Sequence, residues 1–177
     1  MAGNVFTYQV LKDTTEKTVI KLTGSFDGTG GQESNTRRIV ANTLYGALDS
    51  SKANLLASSA NTGPLPYYGL AIHRLWYDCV NPNAADVELF YNGDTTQTIA
   101  FLSGTYEYDA AQNWITFGPA NPAAANVKGD IGIRTRGMGA NCSYTIIVEL
   151  RKDNAMYQRG QITDPAGWNY GPYSVSP

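Results

Sequence analysis

The sequence predicts an all-β fold: a two-sheet antiparallel sandwich of jelly-roll or Greek-key type, with about eight strands. Three observations predict it. Apolar and polar residues alternate with period two along most of the chain. These runs are separated by clusters of Gly, Pro, Asn and Asp, which favour turns. Helical periodicity is almost absent, so each strand must hide its apolar face against a second sheet or inside a closed barrel. The 177 residues suit one domain. A domain of this size buries roughly 70% of the surface its unfolded chain exposes, enough for a core without staples.

The first strand runs from Val5 to Lys12, with Phe6, Tyr8 and Val10 on one face. The second, Thr18 to Phe26, sets Ile20, Leu22 and Phe26 against Lys21 and Thr23. Asp27-Gly28-Thr29-Gly30-Gly31 breaks the pattern as a flexible turn. Thr36 to Ala41 is a shorter strand. Asn42 to Pro66 reads as a long connection, with a short helical turn near Leu44 to Leu48 and a close at Pro64-Leu65-Pro66. Greek-key sandwiches need such a return connection.

Strand pattern resumes from Gly69 to Cys79 and ends at Asn81-Pro82-Asn83. Val87 to Tyr91 and Thr98 to Leu102 flank Asn92-Gly93-Asp94. Asn-Gly tolerates positive φ at both positions, so these two runs are expected to pair as a hairpin. Asn113 to Phe117 is a short strand candidate, and Gly118 to Ala125 is loop. Asp130 to Arg136 alternates Ile131, Ile133 and Thr135 against Arg134 and Arg136. After the turn Gly137-Met138-Gly139, Ser143 to Arg151 carries the clearest alternation, with Tyr144, Ile146, Val148 and Leu150 on one face.

Alternation stops at residue 153, which divides the chain into a sandwich domain, 1–152, and a Gly/Pro-rich aromatic extension, 153–177. The extension is too rich in Gly and Pro for a helix and too aromatic for a solvated tail. It either packs back across its own sandwich or reaches a neighbouring subunit as an arm. Tyr157, Trp168, Tyr170 and Tyr173 are its candidate protein-contact residues.

Composition narrows the function. There are 13 basic and 15 acidic residues, a net charge of -2, which argues against a nucleic-acid partner. The adjacent basic pairs, Arg37-Arg38 and Arg151-Lys152, are expected to be solvated edges. Charged residues make up only 16% while Tyr reaches 12, a balance that suits a surface partly covered by neighbours. No stretch approaches the ~20 apolar residues of a membrane span. The N-terminus has no basic and apolar leader pattern, so synthesis and retention in a cytoplasm are expected unless a larger assembly carries the chain out. Cys79 and Cys142 lie in apolar runs, as buried free thiols or as a bridge between strands.

Catalytic patterns are sparse. The one histidine, His73, has Asp78 and Glu88 near in sequence, but no Gly-x-Ser-x-Gly turn accompanies them. Alternation places His73 on the face of Ala71, Leu75 and Tyr77, as a partly buried side chain. One His and two separated Cys do not supply a zinc ligand set. Glu107 and Asp109 would share a face if their segment is extended, a spacing that glycoside hydrolysis could use but that chance also produces. Asp27 to Gly31 lacks the Gly-Lys-Ser/Thr ending of a phosphate loop, and no run has the acidic spacing of a calcium loop. The expectation is a protein that is not an enzyme and carries no cofactor or metal. Surface aromatics are the alternative, since Tyr67-Tyr68, Trp76-Tyr77, Trp114 and Trp168 could stack sugar rings.

The strand series carries a family resemblance. Arg74-Leu75-Trp76-Tyr77-Asp78, Val87-Glu88-Leu89-Phe90-Tyr91 and Ile99-Ala100-Phe101-Leu102-Ser103-Gly104 open it. Gly129-Asp130-Ile131-Gly132-Ile133-Arg134-Thr135 and the run from Ser143 to Lys152 complete it. In order and spacing, the series from about residue 5 to 152 resembles small virion structural proteins of tailed phages of marine bacteria and cyanobacteria. The resemblance implies a virion component such as a capsid decoration (cement) protein, or a neck, tail or fibre part. It implies the major capsid protein or other virion proteins as partners, and no catalytic residues. A homo-oligomer would match shell symmetry axes. The extension from Asp153 to Pro177 lies outside the shared pattern.

Overall fold

The computed structural model describes residues 3–34, 36–48, 68–80, 85–93, 96–109, 129–152, 156–157, 162–163 and 169–170. The strands are β1 (Val5–Asp13), β2 (Lys17–Ser25), β3 (Thr36–Ile39), β4 (Ala71–Val80), β5 (Asp86–Tyr91), β6 (Gln97–Leu102), β7 (Gly104–Asp109), β8 (Ile131–Arg136) and β9 (Ser143–Arg151). A short hairpin follows, β10 (Ile162–Thr163) with β11 (Asn169–Tyr170). The expected strand Asn113 to Phe117 lies outside the described residues.

The strands form two antiparallel sheets, five-stranded β1-β2-β9-β4-β7 and four-stranded β3-β8-β5-β6. The fold is the all-β two-sheet sandwich that the alternation predicts. The pairings nest: β5 with β6, β4 with β7, β3 with β8 and β2 with β9. The chain therefore runs out along β2 to β5 and back along β6 to β9, with alternate pairs falling in opposite sheets. Between β6 and β7 the chain crosses from one sheet to the other within a residue or two. Gly104 makes that corner at φ 71°, a left-handed conformation open to glycine.

The inner faces match the sequence pattern where alternation is unbroken. Ile20 and Leu22 of β2 meet Tyr144, Ile146, Val148 and Leu150 of β9 in one buried layer. Ile131, Ile133 and Thr135 of β8 and Val87, Leu89 and Tyr91 of β5 supply the facing layer. Each fully buried Leu, Ile or Val contributes roughly 1.5–3 kcal/mol relative to exposure. The β5–β6 hairpin forms as expected, with Val87 opposite Leu102 and Tyr91 opposite Gln97. Gly24 of β2 lies opposite Tyr144, whose ring fills the space where a Cβ would stand.

Four expectations are corrected. His73 does not share a face with Ala71 and Leu75 in simple alternation. The β4–β9 register shifts between Ile72 and Arg74, so His73 is the extra residue of a bulge. Ile72 is buried before the bulge and Leu75 and Cys79 after it. The helical turn falls at Ala41–Thr43 and not at Leu44 to Leu48; there Leu44 is buried and Ala47 bridges to Tyr157. The strand β7 is missing from the predicted runs because Gly104-Thr105-Tyr106-Glu107-Tyr108-Asp109 carries few aliphatic residues.

The fourth correction concerns Lys152, whose side chain is 0% exposed and not solvated. Its Nζ is ion-paired with Asp13 and donates to Thr14 O at 2.7 Å and Tyr45 O at 2.9 Å. It lies 4.9 Å from the Tyr157 ring centroid. Burial pulls the Lys152 pKa below its usual value, opposed by the Asp13 carboxylate. The side chains of Arg37 and Arg38 lie outside the described residues. No helix among the described residues is long and apolar enough to cross a membrane.

Candidate functional site

Ion pairs across neighbouring strands engage several of the charged side chains. Glu88 projects from β5 away from the sandwich core, yet its side chain is only 1% exposed. Arg134 Nε and Nη2 lie 2.9 and 3.1 Å from its two oxygens, and Arg136 Nη2 approaches at 2.7 Å. Thr98 Oγ1 donates to it at 2.7 Å. The Arg134 guanidinium lies 5.3 Å from the Phe90 ring centroid, and Arg136 lies 5.4 Å from that of Phe101. Adjacent registers of β5 and β8 create this cluster, because Glu88 sits opposite Arg134 and Asp86 opposite Arg136.

Three of the other acids are likewise engaged. Asp109 pairs with Arg74 at 3.0 Å across β4–β7, while its neighbour Glu107 stays exposed. Asp78 accepts from Thr105 Oγ1 at 2.6 Å. Asp27 closes its own turn, accepting from Thr29 N at 2.9 Å and Gly30 N at 3.2 Å, and these bonds hold its carboxyl below the usual range. Among the described residues no three His, Cys, Asp or Glu side chains gather as a metal set. Cys79 and Cys142 are both buried and free. Burial in the core, with Asp78 nearby, pushes the Cys79 thiol up to about 12.

Several large apolar or aromatic side chains are exposed along the sheet margins. On β1, Val5, Tyr8, Val10 and Leu11 are exposed. Tyr8 and Val10 point to the inner side, opposite Leu22 and Ile20, but stand 42% and 45% exposed. The reason is topological: among the described strands β1 is the edge of its sheet, with a strand neighbour on one side. The alternation correctly groups Phe6, Tyr8 and Val10, but period two says nothing about which strand will be an edge. Near the opposite margin, Phe101, Tyr106 and Val80 are exposed, with Tyr77 and Tyr106 in contact at 6.2 Å between ring centroids.

The outer face of the five-stranded sheet carries Trp76 in a row with Glu107, Ile147, Lys21 and Gln9. The adjacent row is Thr7, Thr23, Thr145, Asp78 and Thr105. Trp76 is thus an accessible aromatic between Glu107 and Ile147 on that face. Its companion candidate Tyr68 is fully buried, and Tyr67, Trp114 and Trp168 lie outside the described residues.

Of the expected contact residues in the extension, Tyr157 belongs to the chain's own core. It is 1% exposed, donates from its hydroxyl to Ala41 O at 2.9 Å, and its ring lies 5.6 Å from that of Tyr68. Met156 O accepts from Leu48 N at 2.9 Å, so the start of the extension folds back on the sandwich. Tyr170 contributes backbone to β11, opposite Ile162; its side chain, Trp168 and Tyr173 lie outside the described residues. Comparison with known proteins finds no matching family model, no similar curated protein and no similar solved structure.

Proposed function

We propose that this chain is a structural, contact-forming protein of a virion, acting as a decoration protein that binds and stabilises an assembled head shell. The observation that carries the reading is the division of the surface. Glu88 with Arg134 and Arg136, and Asp109 with Arg74, are paired within the sheets, while several apolar and aromatic side chains stand exposed along the margins. Interfaces concentrate aromatic side chains and arginine and are depleted in unpaired charge.

Two further points support it. The strand series resembles small virion structural proteins of tailed phages. The nested pairing of β2 to β5 with β6 to β9 supports a jelly-roll reading of the sandwich, an architecture that recurs in viral capsid domains and also in lectins. That second point is a fold-level analogy and adds weight without specifying a partner.

The work such a protein does is linkage. Binding the assembled shell, and not its separated subunits, lowers the free energy of the assembly by RT ln(1 + [L]/Kd). Major capsid protein subunits are the partner, in the virion, and no catalytic turnover is involved. Purified particles should contain the chain in fixed proportion to the main shell subunit. A few copies per particle would place it in the neck, tail or fibre.

A second reading is favoured by Trp76. A tryptophan exposed on a sheet face, with Glu107 on one side and Ile147 on the other, is a platform on which a pyranose ring could stack. Glycan titration with a tryptophan fluorescence response lost in Trp76→Ala would support a carbohydrate-binding module. No response to any glycan would remove this reading.

A further inference from the structure

We infer that β1 is a self-pairing edge, through which two copies of this chain join antiparallel about a two-fold axis at Tyr8. A sheet edge offers a row of backbone donors and acceptors to another strand, and natural proteins usually blunt it with charge, Pro or bulges. From Val5 to Leu11 this edge has no charged residue and no Pro. Its register with β2 is regular from Val5 to Val10 and shifts only between Val10 and Lys12. The bulge and Lys12 therefore mark where pairing stops.

The residue order selects the occupant. A two-fold axis normal to the sheet keeps both inner faces on one side, so like faces must meet. Centred on Tyr8, it sets Tyr8 opposite Tyr8, Phe6 opposite Val10 and Thr7 opposite Gln9, all within the regular part of the strand. Every apolar side chain then meets an apolar one and every polar one meets a polar one. Moving the centre to Thr7 sets Val5 against Gln9 and Asn4 against Val10, and the match is lost.

The other margins are poorer candidates. The β7 edge carries Glu107 and Asp109, which two-fold pairing would bring near their own copies. The β3 edge carries Arg37 and Arg38. On β6, Phe101 already lies against the Arg136 guanidinium. Pairing at β1 would continue the five-stranded sheet into its copy and cover Tyr8 and Val10, the inner-face side chains that the single chain leaves open.

The proposal needs only β1 and not the virion setting, so loss of the dimer and absence from particles are separate outcomes. The test uses the purified full chain. Light scattering after size exclusion should give twice the 19.2 kDa chain mass. Val10→Lys, which places a charge opposite Phe6 of the other copy, should give the single-chain mass, with a folded far-UV spectrum and an unfolding midpoint that no longer depends on protein concentration. Tyr8→Cys should form a disulfide-linked dimer on mild oxidation, because Cys79 and Cys142 are buried. Lys12→Cys should not, because four residues from the axis separates the two copies of that position by roughly 27 Å. A different protein, or the chain's own segment 158–177, as occupant of the edge gives a monomer, and a monomer overturns the proposal. So does a dimer unaffected by Val10→Lys, or one linked equally well through Lys12→Cys.

Discussion

Lys152 ends against the carboxylate of Asp13, a residue 139 positions away, and none of its side chain reaches solvent. The pair ties the end of β1 to the end of β9, and the Tyr45 carbonyl joins them through the same ammonium. A solvated surface pair is worth about 0–1 kcal/mol. Removing one partner of a buried pair costs about 3–5 kcal/mol, because the other charge is left stranded. Asp13 retains some exposure, so Asp13→Asn should fall near the lower end, about 3 kcal/mol by urea unfolding. A loss below about 1 kcal/mol would mean that the pair behaves as a solvated one.

Glu88 makes the same prediction on the other sheet. Its carboxylate receives Arg134, Arg136 and Thr98 with almost no solvent contact. Glu88→Gln keeps the shape and removes the charge, leaving two guanidiniums facing each other. It should lower stability by about 3 kcal/mol. Arg136 is half exposed, so Arg136→Ala should cost about 1 kcal/mol or less. Equal losses in the two variants would contradict the central place of the carboxylate.

Gly24 and Tyr144 make a steric prediction. A Cβ on Gly24 would stand 2.3 Å from the Tyr144 ring, which is held by its hydroxyl on Glu33 Oε2 at 2.7 Å. Gly24→Ala should therefore destabilise by about 1–3 kcal/mol, although alanine normally suits a strand better than glycine. Tyr144→Phe leaves the buried Glu33 short of a donor and should cost about 1–3 kcal/mol. In the Tyr144→Ala background the Gly24→Ala cost should largely vanish. A persistent cost there would locate the strain elsewhere.

Cys79 sets an alkaline limit. Its folded pKa is raised from 9.0 to about 12 by burial. The native state therefore holds the proton more tightly than the unfolded chain. The stabilisation is complete below pH 9 and is lost as pH rises from 9 towards 12. Cys79→Ala should flatten the fall of stability over that window relative to the parent chain. Unfolding free energies at successive pH values would decide it, and identical slopes in the two proteins would contradict the assignment.

How much of this was legible in the residues follows from how local each cause is. β2, β8 and β9 announce themselves because their alternation is uninterrupted, and their buried faces are those that period two selects. The His73 bulge leaves no local mark, since a one-residue slip changes which residues face inward without changing composition. Lys152 looks like half of a solvated basic pair because its partner lies at the other end of the chain. Tyr157 is aromatic for the sake of its own core, and sequence alone does not separate that from contact with a neighbour. Trp76 was visible as a surface candidate, whereas the open inner face of β1 depends on strand order across the whole sheet.

The central claim is that this sandwich works by contact, as a repeated component of a particle. Its most direct test is the ratio of the 19.2 kDa chain to the main shell subunit in purified particles, measured by quantitative mass spectrometry. The account predicts a fixed, near-stoichiometric ratio that falls together with particle stability when the chain is stripped away. Particles that lack the chain, or lose it with no change in stability, would contradict it.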